Sequence, residues 1–341
     1  MSVEFTNPRA RHAFVGRSCS ITGVGSYLPA RVLTNADLEK LVETSDEWIT
    51  TRTGIKERRI AAADEFTSDM AVKAAERAMA MAGVTASQLQ LIIVATITPD
   101  MPFPNTACIV QHKLGIRNVP AFDLEAACSG FIYGLEIGMQ FIMSRTYDTV
   151  LVIGAEKISS IVDWTDRNTC VLFGDGAGAA ILQHRENSAG LLTSVLGADG
   201  QKADLLSMPG GGSRCPATLE SVAAKQHYLR MTGKETFKNA VQAMCSAATE
   251  ALNRCGLEIS QIKCLIPHQA NLRIIEAVGT RLGAKPEQVF VNLDKYGNTS
   301  AASVAIALDE AVASGNIQRG DLILLVVFGA GLTWGASVIE W

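Results

Sequence analysis

VPAFDLEAACSGFIYGLEIGMQFIMS, residues 119–144, places a cysteine between a short β-rich run and a longer helical stretch. Residues 121–124 are typical of a short strand, and residues 128–144 are typical of a helix. Cys128 therefore stands where a strand is followed by a helix. Exposed amides at a helix N-terminus and the helix dipole favour the thiolate, the nucleophilic form of cysteine. The residues that flank the thiol are small and leave room for a substrate: Ala126, Ala127, Ser129 and Gly130.

The same order of elements occurs twice along the chain. In the first half the predicted order is strand, helix, strand, helix, strand, at residues 91–97, 105–114, 121–124, 128–144 and 149–153. In the second half the order recurs at residues 263–266, 271–282, 289–291, 299–313 and 322–328. Asn298 lies 170 positions after Cys128, at the matching place in the repeat. The pattern predicts an internally duplicated α/β fold.

The two central helices of this repeat have small residues at every fourth position. They are Gly130, Gly134 and Gly138 in one helix and Thr299, Ser303, Ala307 and Ala311 in the other. Glycine inside a helix costs about 0.5–1 kcal/mol relative to alanine, so three in register indicate close packing, although chance in a glycine-rich chain is the simpler alternative. We predict that the two helices lie back to back at the molecular centre, which would bring Cys128 and Asn298 together.

Two short motifs add polar residues beside apolar segments. PHQAN, residues 267–271, has His268 at the end of a predicted strand, and GNTSAAS, residues 297–303, has Asn298 before a predicted helix. Taken alone, Asn298 is explained as well by helix capping, since asparagine is a preferred N-cap residue. A thiol, an imidazole and an amide together indicate acyl-thioester chemistry. For the remaining histidines a structural role is the simpler interpretation: His12, His112, His184 and His227.

Composition excludes several classes of protein. A chain of 341 residues that is 48% hydrophobic can bury one large core or two fused smaller ones. The net charge of -4 gives no overall attraction to nucleic acid or anionic lipid. The longest strongly apolar run, residues 322–328, is too short to span a bilayer, and no secretion signal opens the chain. We therefore expect a cytoplasmic protein with no nucleic-acid or membrane partner, free thiols and no metal site.

Two glycine-rich loops have different interpretations. FGDGAGAA, residues 173–180, lacks both the G-x-G-x-x-G context and a Walker lysine, so we expect a tight turn into a strand and no phosphate site. FGAGLTWG, residues 328–335, joins two apolar strands. This second loop can turn a backbone amide towards the site, where it would stabilise an oxyanion.

The ordered set of motifs resembles the β-ketoacyl-acyl carrier protein synthase III family, the initiating condensing enzymes of bacterial fatty acid synthesis. The likeness runs from GVGSYLP, residues 23–29, to the C-terminus, and its further motifs are TSDEWITTRTGI (44–55), DWTDR (163–167), FGDGAGAA, PHQANLRI (267–274) and GNTSAAS. The resemblance implies a thiolase-like, internally duplicated five-layered αβαβα fold in a homodimer. We divide the chain into an N-terminal extension of unknown role (1–17), a half with the nucleophilic cysteine (18–190) and a half with the histidine and asparagine (191–341).

The resemblance also implies a reaction. Cys128 would take an acyl group from acyl-CoA, with acetyl-CoA as the first candidate primer. His268 and Asn298 would promote decarboxylation of malonyl-acyl carrier protein by donating hydrogen bonds to the thioester oxygen of the enolate. The backbone amides of Cys128 and Ala330 would hold the tetrahedral oxyanion. The products would be 3-oxoacyl-acyl carrier protein, CoA and CO2, and no cofactor is implied because acyl-CoA is a substrate.

Three sets of binding residues are implied in the same way. The CoA-binding set is Trp48, Arg52, Arg167 and Asn271; the acyl-pocket set is Phe103, Leu172 and Leu332; and the carrier-protein docking set is Lys238, Arg273 and Arg281. Phe103 would reach its pocket across a dimer interface. An amphipathic surface helix and a solvated charged face are the simpler alternatives for the first and third sets. The sequence has GAG where many relatives have GGG, and Leu332 where phenylalanine is common, so primer length stays open.

Three other functions are compatible with the same residues. A related condensing or acyl-transfer enzyme of secondary metabolism could use the same three side chains. A cysteine hydrolase is a second alternative, because Cys, His and Asn occur in this order in papain-like proteases, although the sequence around the cysteine differs there. A catalytically silent partner in a heterodimer is a third, against which the presence of all three residue types argues.

Overall fold

The computed structural model describes residues 17–185 and 190–341. Apart from Arg17, the predicted N-terminal extension lies outside the described residues. The strands are β1 (Cys19–Tyr27), β2 (Arg31–Thr34), β3 (Glu57–Ile60), β4 (Leu91–Ala95), β5 (Ala121–Leu124), β6 (Thr149–Glu156), β7 (Gly176–His184), β8 (Leu191–Ala198), β9 (Leu206–Ser207), β10 (Arg230–Met231), β11 (Cys264–Pro267), β12 (Leu322–Gly329) and β13 (Thr333–Glu340). The helices are α1 (Asn35–Leu38), α2 (Asp46–Thr53), α3 (Thr67–Ala82), α4 (Thr106–Lys113), α5 (Gly130–Met143), α6 (Arg167–Cys170), α7 (Leu219–Ala223), α8 (Gly233–Cys255), α9 (Leu272–Leu282), α10 (Leu293–Tyr296) and α11 (Ala302–Ala313).

Two sheets repeat one strand order. The first runs β1-β7-β6-β4-β5 and the second runs β8-β13-β12-β11. In both sheets the first two neighbouring pairs are antiparallel and the next pair, β6 with β4 or β12 with β11, is parallel. In the part of the chain that the structure describes, the second sheet has no strand that corresponds to β5. A single parallel bridge between Leu265 and Val289 lies at that position. The predicted duplication of an α/β unit is therefore confirmed.

The predicted strand at residues 289–291 is wrong. Only Val289 bridges to the sheet, and the amide of Phe290 donates to the carbonyl of Leu265 at 2.9 Å. The chain then leaves the sheet because the amide of Asn292 donates to the side chain of Gln269 at 3.0 Å. A side-chain acceptor from a distant loop thus replaces the next hydrogen bond of the ladder, which a local pattern does not reveal.

Helices and sheets alternate in five layers. Helices α3 and α4 cover the outer face of the first sheet, and α8 and α9 cover the outer face of the second. Helices α5 and α11 both lie between the sheets, where each contacts strands of both. The architecture is therefore the predicted αβαβα arrangement. Its central strands are mostly aliphatic and almost wholly buried, as strands covered on both faces must be.

The glycines of α5 face the first sheet and not α11. A methyl group on Gly134 would lie 2.7 Å from Cγ1 of Val152, and one on Gly138 would lie 2.7 Å from Cδ1 of Leu182. Both helices do lie in the central layer, as predicted, but the small residues of α5 serve a different contact. They let the helix approach β6 and β7, whose branched side chains leave no room for a Cβ atom.

Gly154→Ala tests how tightly the halves are joined. A methyl group on Gly154, within β6, would lie 2.4 Å from the carbonyl oxygen of Ala301, a backbone atom that cannot rotate away. We expect the change to lower the free energy of unfolding by about 1–3 kcal/mol, the usual cost of overpacking. Urea unfolding measures it, with Gly212→Ala as the control because nothing lies within 4 Å of a methyl group there. Equal stability of the two variants would contradict close packing between the halves.

Candidate active site

The structure brings the thiol, the imidazole and the amide together in one cavity of ≈ 510 Å³. Cys128 lies in a turn after β5, His268 follows β11, and Asn298 lies in the loop before α11. The side chains come from both halves because the ends of these matching elements meet at the centre of the molecule. All three residues are buried, with exposed fractions of 7%, 4% and 7% for Cys128, His268 and Asn298. A second cavity of ≈ 550 Å³, near Tyr27 and Lys73, contains none of them.

The Cys128 turn packs against the end of β12. Residues Ala127–Ser129 form a 3₁₀ turn, so the regular helix begins only at Gly130. A methyl group on Gly329 would lie 2.6 Å from the backbone nitrogen of Cys128, which requires glycine at this strand end. Within the described residues, neither the backbone N–H of Cys128 nor that of Ala330 donates to the backbone of another residue. The Cys128 N–H is hydrogen-bonded to its own thiol. Cys128 and Gly329, the residue before Ala330, both line the cavity.

Burial holds Cys128 in the thiol form. It raises the pKa of the thiol to about 12, the nearby Glu156 carboxyl raises it as well, and a hydrogen bond with Ser300 lowers it. The expectation that the helix start favours a thiolate is therefore wrong. The sulfur is desolvated and lies in a short 3₁₀ turn, so desolvation outweighs the local dipole. The thiol has to lose its proton as it attacks a substrate.

His268 is held as a neutral imidazole. Its Nδ1 lies 2.7 Å from the hydroxyl oxygen of Ser303, which also accepts the amide of Gln269 at 3.1 Å. Burial lowers the pKa of His268 to about 4. When Ser303 accepts from the Gln269 amide and donates to Nδ1, the imidazole proton lies on Nε2. The imidazole can then donate a hydrogen bond into the cavity without carrying charge.

Asn298 is fixed on its backbone and on one side-chain atom. Its amide donates to the carbonyl of Leu172 at 2.8 Å, and its carbonyl accepts from Gly174 at 3.0 Å. Its Oδ1 accepts from the amide of Ser300 at 2.9 Å, which leaves Nδ2 as a donor. The alternative of helix capping is wrong, because α11 begins at Ala302 and Ala301 occupies the cap position.

Four of the binding residues that the sequence indicated lie on the same cavity: Trp48, Arg52, Asn271 and Leu172. The guanidinium carbon of Arg52 lies 4.6 Å from the centre of the Trp48 ring, and that of Arg167 lies 4.8 Å from it. Arg167 also donates to the carbonyl of Glu43 at 2.8 Å. Asn271 is the N-cap of α9 and donates to the carbonyl of Arg52 at 3.0 Å. The indole and both cations thus form one cluster.

Arg273 is a fifth indicated residue that lines the cavity, whereas Phe103, Leu332, Lys238 and Arg281 do not. Phe103 is on the surface, with 84% of it exposed. Leu332 is 1% exposed and packs in the core cluster that also contains Phe328, a cavity residue. Lys238 on α8 and Arg281 on α9 are exposed, as is Arg273, on two helices that pack together. Within a single chain, therefore, only Leu172 of the acyl-pocket set reaches the cavity.

Comparison with known proteins places this chain in a family. The 3-oxoacyl-[acyl-carrier-protein (ACP)] synthase III family matches residues 122–200, and its C-terminal counterpart matches residues 252–341. The β-ketoacyl-[acyl-carrier-protein] synthase III of Caldanaerobacter subterraneus subsp. tengcongensis is 60% identical over 324 residues, which are 95% of this chain and 98% of the relative. The chain belongs to the 3-oxoacyl-[acyl-carrier-protein] synthase III family.

Solved structures of synthase III proteins agree with this fold. The enzyme of Aquifex aeolicus is 50% identical with a TM-score of 0.88, covering 95% of this chain and all (100%) of that one. The priming β-ketosynthase of a polyketide biosynthetic pathway is 38% identical with a TM-score of 0.89, covering 95% of this chain and 96% of that one. The same fold thus occurs in a synthase III and in a priming β-ketosynthase of a polyketide pathway.

Sequence reasoning missed several residues of this synthase III site. Ser303 was noted only as a small helix residue, yet it is the hydrogen-bond partner of His268. The hydroxyl of Ser300 and the carboxyl of Glu156 lie next to Cys128 and were not identified. The GNTSAAS motif contains both serines, but nothing in it tells which hydroxyl faces which group. The apolar lining was also missed: Leu206, Met231, Phe237, Met244 and Ile274.

Two negative findings apply to residues 17–185 and 190–341. No group of three or more histidine, cysteine, aspartate or glutamate side chains there is arranged to hold a metal ion. No helix in that part of the chain combines the length and apolarity needed to cross a membrane.

Proposed function

We propose that this chain is an acyltransferase that condenses an acyl-CoA primer, with acetyl-CoA as the first candidate, with malonyl-acyl carrier protein. The products are 3-oxoacyl-acyl carrier protein, CoA and CO2, and the reaction initiates fatty acid synthesis. The observation that carries the proposal is the meeting of Cys128, His268 and Asn298 in one buried cavity, in a chain 60% identical to a named β-ketoacyl-[acyl-carrier-protein] synthase III. No cofactor takes part, because acyl-CoA is itself a substrate.

In the first step Cys128 attacks the thioester carbonyl of acyl-CoA. The backbone N–H groups of Cys128 and Ala330 would hold the oxyanion; the close packing of Gly329 on the Cys128 backbone and the lack of a backbone acceptor on another described residue for either amide support this assignment. Fixed amides in a site closed to water stabilise developing negative charge without reorganising. CoA then leaves and the acyl group remains on Cys128.

In the second step malonyl-acyl carrier protein loses CO2 beside the acylated cysteine. Nδ1 of His268 is hydrogen-bonded to Ser303, and Oδ1 of Asn298 accepts the amide of Ser300. Nε2 of His268 and Nδ2 of Asn298 are therefore the atoms left to donate to the thioester oxygen. Neutral donors suit an enolate, since a fixed positive charge would also stabilise the starting carboxylate. A largely apolar cavity favours the loss of the carboxylate charge and protects the carbanion from water. The carbanion then attacks the acyl-Cys128 thioester.

Trp48→Ala tests the proposed CoA site of Trp48, Arg52, Arg167 and Asn271. The indole lies at the cavity with two guanidinium groups beside it, so an adenine could stack on the cluster. We expect the KM for acyl-CoA to rise about 10-fold while kcat changes little, since stacking on a base contributes ~1–3 kcal/mol. Steady-state kinetics measures this, with Trp48→Phe as the control that keeps an aromatic face. An unchanged KM in Trp48→Ala would remove Trp48 from the CoA site.

The proposal includes two protein partners. The exposed cations Lys238, Arg273 and Arg281, on the packed helices α8 and α9, would dock the acidic carrier protein. A second copy of the chain would pair along β5, the edge strand of the first sheet, because an unpaired edge is a template for another strand. The exposed Phe103 would then reach the partner's cavity and set primer length together with Leu172 and the buried Leu332. We propose a cytoplasmic homodimer.

A related enzyme of secondary metabolism is the second candidate. The likeness to the priming β-ketosynthase of a polyketide pathway, at 38% identity, favours it specifically. One experiment separates the candidates: purified protein is mixed with a series of acyl-CoA primers and malonyl-acyl carrier protein, and the products are identified. Acetoacetyl-acyl carrier protein from acetyl-CoA supports the initiating reaction. A strong preference for another primer or acceptor supports the second candidate, and release of free acid would indicate a hydrolase.

A further inference from the structure

Glu156 is a buried carboxyl group beside the nucleophile for which the two steps above have no use. It is the last residue of β6, and 0% of it is exposed. Donors from the segment after β4 surround it: the amide of Ile97, the hydroxyl of Thr96, and both the amide and the hydroxyl of Thr98. One donor comes from the other half of the molecule, the hydroxyl of Ser300 at 3.0 Å. A wholly buried carboxyl so close to the cavity calls for a chemical reason.

Ser300 connects this carboxyl to the cysteine. Its hydroxyl donates to Oε1 of Glu156 at 3.0 Å, and the same hydroxyl is near enough to Cys128 to lower the pKa of the thiol. The residue is held at φ 50, in the left-handed region, and its amide donates to Oδ1 of Asn298. A serine in this strained conformation is fixed from both sides. The Ser300 hydroxyl is therefore bonded to the carboxyl and coupled to the sulfur.

The two oxygens of Glu156 differ in their surroundings. Oε2 receives Thr98 Oγ1 at 2.6 Å, the amide of Ile97 at 3.1 Å, and both Thr96 Oγ1 and the amide of Thr98 at 3.2 Å. Oε1 receives Ser300 at 3.0 Å and a longer contact from Ile97 at 3.3 Å. Oε2 therefore accepts four hydrogen bonds, whereas the one hydroxyl that Oε1 accepts is that of Ser300, so a proton from Ser300 would be transferred along this bond to Oε1.

We propose that Glu156 accepts the thiol proton of Cys128 through Ser300 when Cys128 is acylated, an inference that rests on the proposed function. As the sulfur forms its bond to the thioester carbon, the S–H proton moves to Ser300 Oγ, and the Ser300 proton moves to Oε1 of Glu156. The carbonyl π electrons move onto oxygen and return when the carbon–sulfur bond to CoA breaks. The CoA thiolate leaves with that electron pair and takes the proton back from Glu156 through Ser300. The Cys128 thiol and acyl-CoA are thus converted into the acyl-Cys128 thioester and CoA with no atom left over, and Glu156 is again ionised at the end.

The acidities favour Glu156 over His268 as the proton acceptor. Burial raises the pKa of Glu156 to about 7, while the hydrogen bonds from Thr98, Ser300, Ile97 and Thr96 lower it. Burial lowers the pKa of His268 to about 4, so the imidazole is the weaker base. Because the thiol pKa is about 12, the proton moves while the bond forms and not before.

The groups that face the carboxyl allow a defined pH dependence. They are the hydroxyls and amides of Thr96, Ile97 and Thr98 on one side and the Ser300 hydroxyl on the other; the titratable group coupled to it is the Cys128 thiol. Lys157 is next in the chain, but its ammonium donates to the carbonyls of Ala62 and Glu65. Acylation needs the ionised carboxylate, so its rate should rise with pH through the Glu156 pKa.

The experiment measures single-turnover acylation of Cys128 by acetyl-CoA, quenched and read by intact mass, from pH 5.5 to 9. The full chain is used as wild type, Glu156→Gln, Ser300→Ala and Thr98→Val. The last is the matched control: like Ser300→Ala it removes one hydroxyl from Glu156, but from the Oε2 side. A circular dichroism melt of each variant confirms folding, and alkylation of Cys128 by iodoacetamide gives a second rate that needs no acyl-CoA.

The relay predicts different results for the two hydroxyl deletions. Glu156→Gln and Ser300→Ala should acylate about 100-fold more slowly, the usual contribution of a positioned base, and should lose the rise near pH 7. Thr98→Val should keep the wild-type plateau and move the rise to higher pH, because the ionised carboxylate loses a donor. A Glu156→Gln variant with the wild-type rate and pH profile would overturn the proposal. A Thr98→Val variant as slow as Ser300→Ala at every pH would also overturn it, since Glu156 would then be purely structural.

Failure of the proposed function has a separate signature. If wild-type protein is acylated by no acyl-CoA yet iodoacetamide alkylation loses its rise near pH 7 in Glu156→Gln and Ser300→Ala, the relay stands and the primer is misassigned. If wild-type protein is acylated and the variants match it in both rates, the condensing function stands and the relay is wrong.

Discussion

Replacing Cys128 by serine should abolish formation of the acyl-enzyme. The serine hydroxyl is a far weaker acid than a thiol, and a carboxyl with a pKa near that of Glu156, about 7, cannot deprotonate it efficiently. We expect labelling by acyl-CoA to slow by at least about 1,000-fold, because the thiolate is the reactive form of cysteine. Intact-protein mass spectrometry after mixing with acetyl-CoA measures the loss.

The control for this variant is Cys108→Ser, at an exposed cysteine of α4 outside the cavity. It should be acylated at the wild-type rate, which shows that the effect belongs to one sulfur. Normal acylation of Cys128→Ser would instead show that the acyl group is carried elsewhere, and the nucleophile assignment would fail.

Replacing His268 by alanine should separate the two halves of the reaction. Acylation should stay within a few-fold of wild type, because the relay from Cys128 runs through Ser300 and not through the imidazole. Decarboxylation of malonyl-acyl carrier protein should fall about 100- to 1,000-fold, the usual cost of losing one donor to a developing oxyanion. Release of labelled CO2 from the pre-acylated enzyme measures the second rate.

The control for His268→Ala is His112→Ala, at an exposed position on α4. It should leave both rates unchanged. If His268→Ala loses acylation and decarboxylation together, the imidazole activates the thiol, and the division of labour between His268 and Glu156 has to be abandoned.

Much of the fold could be predicted because it depends on patterns that are local or repeated. The strands that became β4, β6 and β12 are continuous aliphatic runs bounded by polar residues, and the matching order of elements in the two halves predicted the duplication. The first residues of the central helices were placed too early. Cys128 lies in a 3₁₀ turn, and α11 begins at Ala302 and not at Thr299, because the turns before both helices shape the site.

Three central side chains of the candidate site could be predicted, but their hydrogen-bond partners and electrostatics could not. The motifs gave Cys128, His268 and Asn298, and the structure brings them to one cavity. A thiolate at Cys128 was expected from its place in the chain, yet burial, which depends on the second half of the molecule, reverses the direction of the pKa shift. His268 and its partner Ser303 are 35 residues apart in the chain. Glu156 and its partner Ser300 are 144 residues apart. Local sequence carries no signal for contacts at such a distance.

The central claim is that an acyl group passes through Cys128 to the carbanion formed from malonyl-acyl carrier protein. The most direct test mixes the protein with acetyl-CoA, records its intact mass and maps the adduct, then adds malonyl-acyl carrier protein and follows both species in time. We expect an acetyl adduct on Cys128 that disappears at the rate at which acetoacetyl-acyl carrier protein forms. An adduct that persists during product formation, or product formed with Cys128 unmodified throughout, would contradict the claim.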